Sequence, residues 1–275
     1  MNILMLGWEL PPHNSGGLGV ACYHMAKALA YKGVDIDFVL PHENKEVYKE
    51  FVVHSATSVP ATVVQMGAGA YGMVCDQCAT APCPHATVDI RTLQKYYGEY
   101  VQKLVKQKVP DIIHAHDWLT FEAAVLAKKL TSRPMIAHVH ATEFDRSGEH
   151  HGNPIVHDIE YNGLLMADHI IAVSQATKDL IIREYAIPAD KISVVHNSIE
   201  PKECEIQISN INTFVYLEQM KKRGYTVIVS LGRLTVQKGL PYFLKSAARV
   251  ISKNPKVLFL LAGAGELRDE LLEQS

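Results

Sequence analysis

The chain has 275 residues, 48% of them hydrophobic and 20% charged, with a formal net charge of -2 and a sequence pI of about 6.7. That length fits about two ordinary domains, the composition excludes disordered and fibrous chains, and the near-neutral charge offers no general attraction for nucleic acid or an anionic membrane. No apolar run approaches the ~20 residues needed to cross a bilayer and the first residues lack a secretion signal, while five cysteines are too few for a disulfide framework, which points to the cytoplasm.

Strand-length apolar runs alternate with segments of helical period, the pattern of an α/β chain whose parallel sheet is covered on both faces. Residues 2–6 read as a buried strand, after which Ala21, Met25 and Leu29 recur at a spacing of four as far as Gly33, a C-terminal helix cap. Residues 35–40 complete a βαβ unit. From 54 to 88 the chain is small, punctuated by Gly and Pro and poor in charge, and reads as a long loop or hairpin inserted in the first domain. A helix over 89–107 follows, with Ile90, Leu93, Tyr97, Val101 and Leu104 on one face. Strands are then predicted at 111–115, 134–139, 169–173 and 192–195, separated by helical segments, one of which, 174–185, opens at Ser174 as its N-cap. Polar and then basic residues from about 197 mark an interdomain linker, so the first domain is drawn at 1–199 and the linker at 200–224. The alternation restarts with a strand at 225–231, a helix at 240–251, a strand at 257–262, and Gly263-Ala264-Gly265 opening another helix. Two strands are too few for a doubly wound sheet buried on both faces, so residues 225–275 read as an incomplete second domain.

In an open parallel sheet ligands bind beyond the carboxyl ends of the strands, and five loops there stand out. Ser15-Gly16-Gly17-Leu18-Gly19 leads from the first strand into a helix. It suits a tight turn, or a backbone that lets a phosphate or sugar oxygen approach a helix N-terminus. In His114-Ala115-His116-Asp117-Trp118 the two imidazoles share one side of a strand and Asp117 begins the next loop. Such a set suits core packing, a metal or sugar hydroxyls, and Trp118 adds a flat surface of the kind that stacks on sugar rings. His138-Val139-His140-Ala141-Thr142-Glu143 repeats the geometry at the next strand end; zinc is one use for it, hydroxyl recognition another. In Gly232-Arg233-Leu234-Thr235-Val236-Gln237-Lys238-Gly239, an Arg and a Lys framed by glycines at a strand-to-helix turn can clamp two phosphoryl groups; solvated surface charges are the plainer alternative. Gly263-Ala264-Gly265-Glu266-Leu267 is an ordinary packing turn.

Taken together, the Gly-Gly-Leu loop, the HAHDW block, ADHIIAVSQATKDL with VVHNSIE, and above all LGRLTVQKGL resemble the nucleotide-sugar glycosyltransferases of family 4 and the glycogen and starch synthases of family 5, from residue 1 to the end. The resemblance implies a GT-B fold of two Rossmann-like domains, the first binding mainly the acceptor and the second the nucleotide sugar. It also implies transfer with retention of anomeric configuration, and no cofactor or divalent metal. The expected function is transfer of a hexose, glucose foremost, from ADP- or UDP-glucose to a saccharide acceptor. The alternatives are a family 4 enzyme acting on a lipid-linked or small-molecule acceptor, and a non-catalytic saccharide-binding fragment. Carried over by position, the catalytic pair falls on His140 and Asp117, and the donor diphosphate on Arg233, Lys238, Gly16 and Gly17. Acceptor and sugar contacts fall on His116, Trp118 and Glu143. A nucleotide sugar and a saccharide are the expected partners.

Two departures accompany the resemblance. Synthases carry a lysine just before the paired glycines, where this chain has Ser15. Their Glu-x7-Glu element has no match at Glu266 and Glu270, so ~100–150 further residues are expected beyond Ser275. Cys75, Cys78, Cys83 and His85 have a spacing open to tetrahedral zinc or to free thiols in a loop.

Overall fold

A computed structural model describes residues 1–13, 16–61, 90–147, 152–198, 200 and 211–275. The chain divides into two compact units, Met1–Ile199 and Glu200–Ser275.

In the first unit β1 (Asn2–Leu6), β2 (Asp35–Leu40), β3 (Val52–Ser55), β4 (Ile112–His116), β5 (Met135–Val139), β6 (His169–Ala172) and β7 (Ile192–Val194) form one parallel sheet in the order β3-β2-β1-β4-β5-β6-β7. The strand order reverses between β1 and β4, which makes the carboxyl ends of those two strands the topological switch point where such sheets bind ligands. Helices α1 (Gly17–Tyr31), α2 (Ile90–Gln107), α3 (Trp118–Thr131), α4 (Glu143–Ser147), α5 (Pro154–Met166) and α6 (Gln175–Tyr185) follow the strands. Side chains alternate across a strand, and both faces of this sheet are buried. Leu4 and Leu6 of β1 join one core cluster with Leu93, Phe121 and Leu164 from the helices; Ile3 and Met5 join the other with Cys22 and Ala26 of α1. That is why β1 reads NILML, apolar from Ile3 to Leu6, rather than alternating. Tyr97 of α2 ties two strand ends together, its hydroxyl donating to the carbonyls of Gly7 and Val39 at 3.2 and 3.0 Å. Gly7 has no room for a side chain, since a Cβ there would lie 2.3 Å from Phe38 Cζ.

The second unit contains α7 (Ile211–Lys222), β8 (Thr226–Leu231), α8 (Leu240–Ile251), β9 (Val257–Ala262) and α9 (Arg268–Gln274), with β8 and β9 paired in parallel. Leu234, Leu240 and Leu271 are its buried core.

Three segments differ from the reading of the sequence. Residues 54 and 55, assigned to an inserted loop, belong to edge strand β3, whose four residues VVHS are half polar and too short to give a periodic signal; residues 62–88, with Cys75, Cys78, Cys83 and His85, lie outside the described residues. The stretch assigned to the linker carries α7, whose apolar residues Phe214, Val215 and Tyr216 stay exposed and so give no amphipathic stripe. Gly263 and Gly265 do not open a helix, which starts only at Arg268. They sit at φ of 155° and 156°, and a Cβ on Gly263 would lie 1.8 Å from the Gly232 carbonyl oxygen. The loops after β8 and β9 lie against each other, Leu234 N donating to Ala264 O at 2.8 Å and Leu267 N to Leu234 O at 3.0 Å. Among the described residues no helix is long and apolar enough to cross a membrane.

Candidate functional site

The register of β4 against β5 sets His116 beside His138 and His114 beside Ile136. Because alternate residues share a face, His114, His116, His138 and His140 all emerge on the side that carries Met5 and α1, where the neighbouring strand has apolar residues. The four rings stack, with centroids 4.5 Å apart for His114 and His116 and also for His138 and His140. Two imidazole contacts link the strands, His114 Nε2 to His138 Nδ1 at 3.2 Å and His116 Nδ1 to His140 Nε2 at 3.0 Å. Burial disfavours the imidazolium form, and four neighbouring imidazoles disfavour one another's protonation. Burial pulls His114 and His140 down to about 4, and burial with the adjoining histidines holds His116 and His138 well below the usual range. The group is therefore neutral at pH 7. Among the described residues, His140 Nδ1 meets Asn197 Nδ2 at 3.4 Å.

Asp117 begins the loop after β4 in a conformation rare for a residue with a side chain, at φ 58° and ψ 171°. Its N–H donates to His138 O at 3.0 Å and its Oδ1 accepts from His140 N at 2.7 Å, so this backbone strain is held by the two strand ends it connects. Burial pushes its carboxyl up to about 6, against the lowering influence of Arg146 and of the His140 and Ala141 amides. Asp117 thus shapes the turn that presents His140, as a positioning residue, and does not itself reach open space.

Arg146 and Glu160 fix the rest of the loop after β5. Arg146 Nη1 donates to Ala141 O at 2.9 Å and Nε to Glu143 Oε2 at 3.2 Å, and its guanidinium pairs with buried Glu160. Glu160 also accepts from Glu143 N at 3.0 Å and from the Tyr185 hydroxyl. Burial raises the Glu160 carboxyl, with Arg146 opposing that shift most strongly. Glu143, expected among the sugar contacts, is occupied otherwise: it bonds Arg146 and accepts from Asn153 N at 2.8 Å. Trp118 is likewise corrected. It is 6% exposed and packs within the main core cluster, so its ring presents no stacking face. His116 is fully buried and meets His140 through its Nδ1 at 3.0 Å.

On the other side of the switch point Gly16 caps α1 and Gly17 is exposed, with nothing within 4 Å of the place a Cβ would take. Among the described residues the backbone at Gly17 is therefore uncovered. Glu9, which the sequence reading passed over, is buried after β1 and accepts from Gly19 N at 3.2 Å. A carboxylate among the glycines was the signal for it. Asn197 was quoted only within a motif, because its link to His140 spans 57 positions.

In the second unit Arg233 and Lys238 lie in the loop after β8. A 3₁₀ turn at Val236–Lys238 ends at Gly239, whose φ of 62° suits a residue without a side chain, and α8 begins directly after it. Lys238 is exposed; Arg233 is half-buried and donates to Gln237 Oε1 at 3.5 Å.

The comparisons with known proteins agree with this architecture. A family model described as Glycosyltransferase Family 4 matches residues 15–203. An uncharacterized glycosyltransferase of Methanocaldococcus jannaschii is 26% identical over 98% of this chain and 65% of its own length. A glycogen synthase of Mycobacterium tuberculosis is 26% identical over the whole chain and 64% of its own length. The chain therefore spans just under two thirds of these relatives. Among solved structures, Anabaena HepE in complex with UDP and glucose has a TM-score of 0.63 at 18% identity, covering 99% of this chain and 65% of that one, and the shared architecture is the expected GT-B type. With more than half of its residues matched by the family model, the chain belongs to glycosyltransferase family 4.

Proposed function

We propose that the protein is a hexosyltransferase that moves a hexose, glucose foremost, from a nucleotide sugar such as ADP- or UDP-glucose to a saccharide acceptor, retaining anomeric configuration and needing no divalent metal. One observation carries the reading: in a chain of this family, a neutral His140 stands at the carboxyl end of β5, beside the switch point, backed by His116 and with its Nδ1, among the described residues, in a long contact to Asn197. That nitrogen is free to exchange Asn197 for a sugar hydroxyl. Further support comes from HepE, solved with UDP and glucose, and from the relative named glycogen synthase.

In this scheme the acceptor hydroxyl oxygen bonds to the anomeric carbon as the bond from that carbon to the diphosphate oxygen breaks. The hydroxyl proton passes to the departing phosphate oxygen, so no protein base is needed. Arg233 and Lys238 stabilise the charge developing on the diphosphate. Gly16 and Gly17 admit a ligand close to the backbone, His140 orients the transferred sugar, and Asp117 acts through His140 by setting its backbone.

The test is release of ADP or UDP from a panel of nucleotide sugars with maltooligosaccharides present, run on this chain and on the complete product of its reading frame. Nucleoside diphosphate release with a lengthened saccharide is the expected result. Silence from the complete product with every donor overturns the proposal.

A further inference from the structure

The imidazole stack holds more nitrogen donors than its own hydrogen bonds use. His114, His116 and His138 are at most 4% exposed, and one ring nitrogen from each lies within 4.8 Å of the others. Two further atoms are notable: among the described residues, His116 Nε2 and His138 Nε2 are buried without a hydrogen-bond partner. Their Nδ1 atoms are both engaged, with His140 at 3.0 Å and His114 at 3.2 Å. An imidazole with one nitrogen held by a neighbour and the other unpartnered is in the state a metal-binding histidine adopts, one nitrogen on the ion and the opposite N–H fixed by a second group. Leaving such nitrogens unpaired in the interior is otherwise unfavourable.

We propose that His114, His116 and His138 bind one divalent transition-metal ion of the zinc class, which braces β4 against β5 beneath His140. The strands supply the geometry. Each carries a His-x-His pair on the same face, and parallel pairing in register sets His116 beside His138, so three imidazoles converge without any loop having to fold over them. In a tetrahedral site with zinc–nitrogen bonds of about 2.0–2.1 Å the ligand atoms stand about 3.3 Å apart, so these three, within 4.8 Å of one another in the ion's absence, draw together around it. An all-nitrogen donor set selects Zn²⁺, Co²⁺, Ni²⁺ or Cu²⁺ and disfavours Mg²⁺ and Ca²⁺, which need oxygen. The ion is independent of the transfer chemistry proposed above and is assigned no part in neutralising the diphosphate.

Two other groups could take metal and must be separated from this one. Cys22, His116 and His140 also bring ligand atoms within 4.8 Å, and Cys75, Cys78, Cys83 and His85 form the sequence cluster. The experiment uses the full chain carrying Cys75→Ser, Cys78→Ser and Cys83→Ser, stripped with chelator and titrated with Zn²⁺ alone and Co²⁺ alone. The expected result is one equivalent of Zn²⁺ bound, a Co²⁺ spectrum without the near-ultraviolet thiolate band, and affinity weakened at least about tenfold by His138→Asn with the fold intact by circular dichroism. Should His138→Asn unfold, His114→Asn and the Co²⁺ spectrum of the unaltered histidines decide. The proposal is overturned by less than about half an equivalent at about 10 µM free Zn²⁺, by a thiolate band that disappears with Cys22→Ser, or by affinity indifferent to both histidine substitutions.

Discussion

Lys238 shows how position gives a simple residue chemical use. It is exposed, at the end of a 3₁₀ turn that Gly239 closes, and it shares its loop with Arg233. A cation there costs the fold little, and in the reaction proposed above it would meet the diphosphate from an exposed position. Replacing Lys238 by Ala should therefore lower turnover of the complete product by about thirtyfold to several hundredfold, corresponding to about 2–4 kcal/mol of transition-state stabilisation, with an unchanged melting temperature. Steady-state kinetics alongside a thermal melt measure both; a smaller fall in turnover would remove Lys238 from the diphosphate site. The loops that carry Arg233, Lys238, His140 and the paired glycines were legible because each directly follows a strand, and local spacing suffices to find such a loop. Trp118 was misread for the opposite reason. Whether a ring faces solvent or the core depends on what packs over it, and Phe121, Leu119 and the helices around them are not visible from the HAHDW block.

The element that organises the opposite end of the sheet is a set of polar contacts around β2. Asp37, 6% exposed, accepts from Lys108 Nζ at 2.5 Å and Asn2 Nδ2 at 2.9 Å and contacts His54 Nε2 at 2.9 Å, joining β1, β2, β3 and the end of α2. Burial alone would raise its carboxyl, but Lys108, Asn2 and His54 outweigh burial and hold it below the ordinary carboxylate value. A carboxyl lowered in the folded state contributes stability that is fully present above its unfolded pKa and is lost as pH falls through the folded one. Asp37→Asn should cost about 1.5–3 kcal/mol near neutrality, the worth of hydrogen bonds to a charged group. The gap between the two proteins should close as pH falls below the ordinary carboxylate range. Urea titrations at several pH values measure it, and a gap that stays constant down to about pH 2 would show that the charge is not what Asp37 contributes. The core elements β1, β2 and α8 were read from the sequence with the bounds the structure has, since buried strands and a strongly amphipathic helix carry their own signal. Edge strand β3 and the exposed helix α7 carry none, because neither buries a face whose period could be read.

Across the described residues the two large core clusters belong to the first unit, whereas the second unit's cluster has three buried residues. Expressed as residues 1–199, the first unit should unfold cooperatively at a melting temperature within about 4 °C of the main transition of the full chain. Calorimetry of the two proteins compares them directly. A fragment without a cooperative transition would mean that this sheet depends on residues beyond 199.

By itself the sequence determined the α/β class, the order of the strands along the chain and the loops that carry the glycines, the histidines and the Arg–Lys pair. These follow from periodicity and from residue types at strand ends, which are local properties of the chain. Only the tertiary structure decided which of those side chains meet. The register of β4 on β5 stacks four imidazoles drawn from two segments, Asp117 is turned inward to hold the His140 backbone, and Arg146 and Glu160 take Glu143 into an ion network. Such contacts depend on pairing register and on burial, and burial is a property of the assembled chain: it excludes water, neutralises the histidines, and separates a residue that can reach a ligand from one that positions another.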